Sequence, residues 1–270
     1  MKEKDKAEWF SSALNAALDA GKAIMKIYAK PFEVELKEDN SPLTIADREA
    51  HDIICQWIGP TMIPVMSEEG IMIDYEERKK WKLYWLVDPL DGTKEFIKKN
   101  GEFTVNIALI ENGSPIFGVV FAPAMGVMYY AEKGNGAFKV IIPDLFSSHI
   151  DMHPTSSLPS QKLPSKFTIV GSRSHSSSET EAYVKELESV YGEIDFLAAG
   201  SSLKFCMVAE GKAQSYPRFA PTMEWDTAAG QIIVEEAGGR MVQWPSLNKF
   251  TYNREELRNG WFLATAGNSR

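Results

Sequence analysis

Trp85-Leu86-Val87-Asp88-Pro89-Leu90-Asp91-Gly92-Thr93 is the stretch on which the reading of this 270-residue chain turns. An apolar, strand-like segment from Leu83 to Val87 delivers two carboxylates, three positions apart, onto a turn punctuated by Pro89 and Gly92. Carboxylates this close repel each other unless a cation lies between them. Hard oxygen donors of this kind suit Mg²⁺, which is held by a few carboxylates together with waters and substrate phosphates. A helix-like segment begins at Thr93, so the backbone N–H groups of Gly92, Thr93 and Lys94 would face an anion at its N-terminus. The run therefore reads either as a metal-dependent phosphate site or as an Asx-rich turn with solvated acids.

Composition narrows the classes. With 44% hydrophobic residues the chain can bury a substantial core, as one large domain or two halves sharing a cleft. A formal net charge of -8 disfavours a binder of nucleic acid polymers. An anionic substrate would then need local cations and a metal. Cys55 and Cys206 are far apart, as expected of free core thiols in a reducing cytosol. The charged start, Met1 to Lys6, leads into no cleavable apolar run. No segment approaches ~18 apolar residues, so no membrane-spanning helix is expected.

Hydrophobic spacing predicts amphipathic helices over 9–29 and 45–58, the second ending at Gly59-Pro60. Segments 64–66, 103–110, 116–121 and 127–131 read as strands, the last three joined by short turns as in an antiparallel sheet. Residues 143–166 carry four prolines among serines and read as a connection between an N-terminal α+β half, 1–142, and a C-terminal α/β half, 167–270. In the latter, strands are expected at 167–171 and 213–216 and helices at 179–191, 201–209 and 227–237. The last of these would be N-capped by Asp226, a favoured capping residue.

Asp88-Pro89-Leu90-Asp91-Gly92-Thr93, preceded by Ser67-Glu68-Glu69 and followed by Glu224-Trp225-Asp226-Thr227-Ala228-Ala229-Gly230, resembles the inositol monophosphatase superfamily of Mg²⁺-dependent, Li⁺-sensitive phosphatases. Four further stretches resemble its bacterial bisphosphate-nucleotidase branch: Asp91 to Phe96, Gly101 to Ala108, Gly171-Ser172-Arg173-Ser174-His175, and Gly200-Ser201-Ser202-Leu203-Lys204-Phe205-Cys206. The resemblance runs from about Leu43 to Gly239. It implies a layered αβαβα fold with the active site between the halves. It also implies hydrolysis of adenosine 3′,5′-bisphosphate (PAP) to AMP and phosphate, with the sulfated PAPS as a second substrate, in sulfur assimilation.

The resemblance further implies site roles. Glu68 would bind the first of two or three Mg²⁺ ions and help orient the attacking water. Asp88 would bridge two ions, Asp91 would bind the second, Leu90 would offer its backbone carbonyl, and Asp226 would complete the set. Asp47 would accept a hydrogen bond from the Thr93 hydroxyl, the pair activating water; helix-dipole stabilisation is the other reading of Asp47. Gly92, Thr93, His175, Ser201, Lys204 and Arg218 would contact the nucleotide, alongside Glu68, Leu90, Asp91 and Asp226. Ser201 and Lys204 are expected on one helix face, and Arg218 offers a planar fork suited to phosphate. Residues around Tyr216 to Phe219 would flank the base. Inositol monophosphatase or broad sugar-phosphatase activity is the alternative within this class, and a non-catalytic phosphonucleotide-binding regulator the alternative outside it. The resemblance leaves open a monomer or homodimer, and a cytoplasmic location with or without peripheral association at the inner membrane.

Overall fold

The computed structural model describes residues 3–36, 42–172 and 177–267. The chain opens with α1 (Glu3–Tyr28), a short antiparallel pair β1 (Val34–Leu36) and β2 (Pro42–Thr44), and α2 (Ile45–Ile58). There follow β3 (Val65–Ser67), α3 (Tyr75–Arg78), β4 (Leu83–Asp91) and α4 (Thr93–Ile97). A meander comes next: β5 (Thr104–Glu111), β6 (Ser114–Ala122), β7 (Val127–Glu132), β8 (Gly136–Ile141) and β9 (Ser156–Ser157). Among the described residues, β3 to β9 form one sheet in sequence order, with β3 parallel to β4 and every later pair antiparallel.

The second half holds β10 (Thr168–Gly171), α5 (Ser178–Tyr191), β11 (Asp195–Ala198), α6 (Leu203–Glu210), β12 (Ser215–Arg218), α7 (Glu224–Glu236), β13 (Arg240–Gln243) and β14 (Phe262–Thr265). Its sheet runs β11-β10-β12-β14-β13. The layers follow from which faces are apolar. Trp85, Val87, Val105, Ile107 and Val119 of the first sheet pack toward α1 and α2, while Tyr84, Leu86, Ala108, Ile110 and Val120 pack toward α6 and α7. That alternation is the period-two consequence of a strand buried on both faces. The helices α6 and α7 thus lie between the sheets, α5 lies against the second sheet, and the order is αβαβα.

Several boundaries differ from the sequence expectation. The acids are not on a turn: β4 continues through Pro89 and Leu90 to Asp91. Its ladder with β5 shifts register between Asp88 and Asp91, which accommodates a proline that cannot donate to the ladder. The last helix of the second half begins at Glu224, so Asp226 lies within its first turn rather than at its cap; the cap is Met223. Helix α6 begins at Leu203, and Ser201 precedes it with φ 45°, so Ser201 and Lys204 do not share a helix face. Inside 143–166, Ser156 and Ser157 pair with β8 and Leu158 is buried in the core. Cys206 is buried, whereas Cys55 is half-buried beside the His51 imidazole, its Sγ 3.7 Å from Nε2. No helix among the described residues is long and apolar enough to cross a membrane.

Candidate metal and phosphate site

Three elements converge on one cluster of acids. Strand β3 ends at Ser67, and the Glu68 N–H still donates to Val87 O at 3.1 Å, so Glu68 leaves the sheet beside β4. Asp88, 1% exposed, sits near the end of β4, where its Oδ1 accepts the Leu90 N–H at 3.1 Å. Asp226 comes from the start of α7, with Oδ2 accepting the Met223 N–H at 2.8 Å. One carboxylate oxygen from each of Glu68, Asp88 and Asp226 lies within 4.8 Å of the others. Burial, then the charges of Glu68, Asp91 and Asp226, push the Asp88 carboxyl well above its usual range. Burial and the Asp91 charge do the same to Asp226, against the Met223 N–H and Arg218. Such a set carries an electrostatic cost that a bound divalent cation would remove. All-oxygen donors, buried and mutually repelling, fit Mg²⁺.

Asp91 stands beside this triad and not within it. Its Oδ2 accepts from Ser202 Oγ at 2.7 Å. Leu90 is buried, and its carbonyl accepts from Thr93 Oγ1 at 3.3 Å. Gly92 turns the chain with φ 88°; a Cβ there would meet Ser201 Cβ at 3.1 Å and Glu102 O at 3.2 Å. Only glycine suits both the left-handed backbone and that approach.

The structure brings Asp47 and Thr93 together. Thr93 Oγ1 donates to Asp47 Oδ1 at 3.2 Å, from an element 46 residues away. The other oxygen of Asp47 accepts from the Thr44 N–H at 2.8 Å and the Thr44 hydroxyl at 2.7 Å, a capping box at the start of α2. Asp47 is 2% exposed, and burial raises its carboxyl above the ordinary value. Structural capping and contact with Thr93 thus coexist in one side chain.

The residues expected from the sequence to contact a nucleotide, where described, fall around an adjoining cleft. Ser201, Lys204, Arg218, Asp91, Gly92 and Asp226 line one cavity of about 150 Å³. The Lys204 ammonium is buried, donates to Ser201 O at 2.5 Å and Ala199 O at 3.3 Å, and lies 5.5 Å above the Tyr216 ring. Burial, opposed by Asp91, pulls it down to about 8. Arg218 donates to Pro221 O at 3.2 Å, while its buried Nε has no hydrogen-bond partner among the described residues. Arg218, Tyr216 and Ser172 also line a second cavity of about 360 Å³ beneath α5, walled by Val170, Val184, Phe196 and Phe219. The acid cleft and an apolar chamber therefore share a wall. His175 lies outside the described residues.

Sequence reasoning passed over Asn106, Ser202 and Thr104. The available signal was a buried-strand pattern, Phe103 to Ile110, interrupted by Thr104 and Asn106 on one face.

The sequence profile of the inositol monophosphatase family matches residues 5–260. The chain belongs to the inositol monophosphatase family. Within it, the 3′(2′),5′-bisphosphate nucleotidase CysQ of Salmonella typhimurium is 46% identical over 253 residues, 92% of this chain and 96% of that protein. CysQ of Escherichia coli K12 is 47% identical over 91% of this chain and 95% of the relative. The crystal structure of CysQ from Bacteroides thetaiotaomicron, a bacterial member of the family, superposes with a TM-score of 0.85 at 46% identity, covering 95% of this chain and 96% of that one. The family's phosphatase fold and the αβαβα layering of this chain are the same architecture.

Proposed function

We propose that this chain is a 3′(2′),5′-bisphosphate nucleotidase that hydrolyses adenosine 3′,5′-bisphosphate to AMP and phosphate, with PAPS as a second substrate. The observation that carries the reading is the shared wall: Arg218, Tyr216 and Ser172 border both the acid-lined cleft and the apolar chamber. A ligand with phosphates at one end and a planar base at the other fits that pair of cavities. The relatives above carry that activity in their names.

Glu68, Asp88, Asp226, Asp91 and the Leu90 carbonyl would hold Mg²⁺, two or three ions in all. Bound there, the metal supplies positive charge that offsets the transferring phosphoryl group and acidifies the attacking water. The chain's own groups do the rest. Thr93 Oγ1 donates a hydrogen bond to Asp47, which leaves the Thr93 oxygen lone pairs to accept from the water that attacks phosphorus. Asp47, raised by burial, takes up the proton released as the P–O bond to water forms. Breaking the bond to the 3′-oxygen frees AMP, the leaving oxygen taking a proton from solvent water to become its 3′-hydroxyl. Gly92 and the α4 N–H groups meet the reacting phosphate. Ser201, Lys204 and Arg218, which line the cleft with Asp91 and Asp226, would contact the nucleotide and its second phosphate and so set substrate choice, and the resemblance gives His175 the same role.

The test is phosphate release from adenosine 3′,5′-bisphosphate, inositol 1-phosphate and fructose 1,6-bisphosphate at equal concentration with Mg²⁺. The bisphosphate nucleotide should lead in kcat/KM. A lead for inositol 1-phosphate would return the chain to the inositol phosphatase reading, and absence of turnover on all three would favour a binding regulator.

A further inference from the structure

Across the ladder between β4 and β5, Asp88 is paired with Asn106 and Asp91 with Thr104. Both partners are buried, at 1% and 0% exposure. Both reach toward the second half rather than toward solvent. Thr104 Oγ1 lies 2.7 Å from Ser201 Oγ, and Asn106 Nδ2 donates to Ser202 Oγ at 2.9 Å. Just before β5, Glu102 Oε2 accepts the Gly200 N–H at 2.8 Å. Alternate positions 102, 104 and 106, on one face of an extended chain, thus hold three consecutive residues, 200 to 202, of the other half.

Ser202 is the centre of this contact. It is 2% exposed and lies just before α6. Its hydroxyl accepts from Asn106 and has a single proton to give. Two acceptors compete for that proton: Asp91 Oδ2 at 2.7 Å and the Asp226 carbonyl at 2.9 Å. The ionised carboxylate is the stronger acceptor. Asn106 Nδ2 lies 3.4 Å from the same Asp91 oxygen. One oxygen of Asp91 is therefore tied inward, while Oδ1 takes no hydrogen bond among the described residues. The arrangement joins the β4 acid to the backbone of the α7 acid through one buried side chain.

A core serves stability best with apolar residues here, because buried polar groups cost free energy unless fully paired. Asn106 Oδ1 is buried with no partner among the described residues. A polar pair that is incompletely satisfied, at the junction of two acids from different halves, points to a role other than packing.

We propose that Asn106 and Ser202 act as a positioning pair that orients Asp91 against the start of α7, and that the pair sets the cation affinity of the acid site rather than the stability of the fold. The inference rests on the reading of these acids as a cation site. Partners that orient metal-binding carboxylates typically change metal affinity by about 10–100-fold when removed.

The experiment is calorimetric titration of Mg²⁺ into the full chain and into Ser202→Ala, Asn106→Ala and the double variant, with thermal melting of each metal-free form. Each single substitution should raise the Mg²⁺ dissociation constant about tenfold or more. The double variant should lose no more than the worse single variant, because the pair acts as one unit. Metal-free melting midpoints should stay within a few degrees of the parent. An unchanged dissociation constant in Ser202→Ala, or losses that add in the double variant, would overturn the pair. Should Asn106→Ala fail to fold, Ser202→Ala alone decides. If the parent chain itself takes up no Mg²⁺, the cation reading fails and the pair falls with it, an outcome distinct from a parent that binds and a Ser202→Ala variant that binds equally well.

Discussion

Asp91 and Thr93 are two residues apart, and their removal should fail in different ways. Asp91→Asn takes a charge from the acid site while keeping the shape of the side chain. Turnover should fall by at least about a hundredfold, because the groups of such a site act as a unit, and Mg²⁺ affinity should fall with it. Thr93→Ala removes only the hydroxyl that donates to Asp47. It should cost roughly 10²-fold in turnover, as the loss of a general acid–base contribution does, with the Mg²⁺ dissociation constant little changed. Equal loss of binding and turnover in Thr93→Ala would mean the hydroxyl helps hold the ion. Lys204 gives a sharper test still. Burial brings its ammonium down to about 8, so in the free protein its charge is present below that pH and lost above it. The pH profile of kcat/KM reports such free-enzyme groups. For the bisphosphate nucleotide, kcat/KM should decline as pH rises through about 8. Lys204→Met should lose that limb and roughly ten- to a hundredfold of kcat/KM, the worth of a charge-assisted hydrogen bond. Hydrolysis of a simple monophosphate should be far less affected by Lys204→Met or by Arg218→Ala. A uniform fall on both substrates would point to the broader sugar-phosphatase reading.

At the scale of elements, α7 decides where Asp226 goes. It lies against β6 because Gly118 has no side chain: a Cβ there would stand 2.6 Å from Ile232 Cγ2 and 2.8 Å from Ala229 Cα. On its other side, a Cβ at Gly230 would stand 2.4 Å from the Phe205 ring of α6. The start of α7 is pinned by Glu224, 0% exposed, which accepts the Asn253 and Arg254 N–H groups at 2.8 and 3.0 Å and the Arg254 guanidinium at 3.0 Å. Gly118→Ala should therefore push α7 off the sheet. The expected cost is about 1–3 kcal/mol, as for other overpacked cores, visible as a lower Tm, and Mg²⁺ should be held less tightly because Asp226 moves with the helix. A stable Gly118→Ala protein with parental Mg²⁺ affinity would contradict this coupling. Little of this was legible in the sequence. The helical period from Thr227 onward was plain, but its first turn, Glu224-Trp225-Asp226, reads equally as a loop. Only the capping contacts at Met223 and the buried Glu224 show that it is helix. Likewise Ser201 looks like a helix residue, but its φ of 45° takes it out of the helix, with its hydroxyl against Thr104 and the preceding Gly200 N–H on Glu102.

For the whole molecule, the layered architecture was legible only through resemblance, since period and spacing mark individual elements and not which sheet face an element covers. Of the acids, Asp88 and Asp91 stand out by their own spacing and residue type, whereas Glu68 and Asp226 joined them only through the resemblance, since alone they read as a loop acid and a helix cap. Their inward struts were not legible, because Asn106 and Ser202 belong to different halves and meet only after folding. That convergence has a cost with a definite pH signature. Asp88 and Asp226 are raised well above the 3.8 of a free aspartic acid, so the folded chain holds protons that the unfolded chain has released. In that regime the native state binds more protons than the unfolded state, and stability falls as pH rises. The metal-free protein should accordingly lose Tm as pH rises above 3.8, while these carboxyls ionise against one another. Mg²⁺ requires the ionised forms, so its stabilising effect should grow over the same interval. At a hundredfold excess over its dissociation constant it should reach about 2.7 kcal/mol. Thermal melts in chelator and in Mg²⁺ across that range measure both slopes. A metal-free Tm that rises with pH, together with a Mg²⁺ increment that does not depend on pH, would mean that the four carboxylates are already neutralised by the protein itself and do not form a cation site.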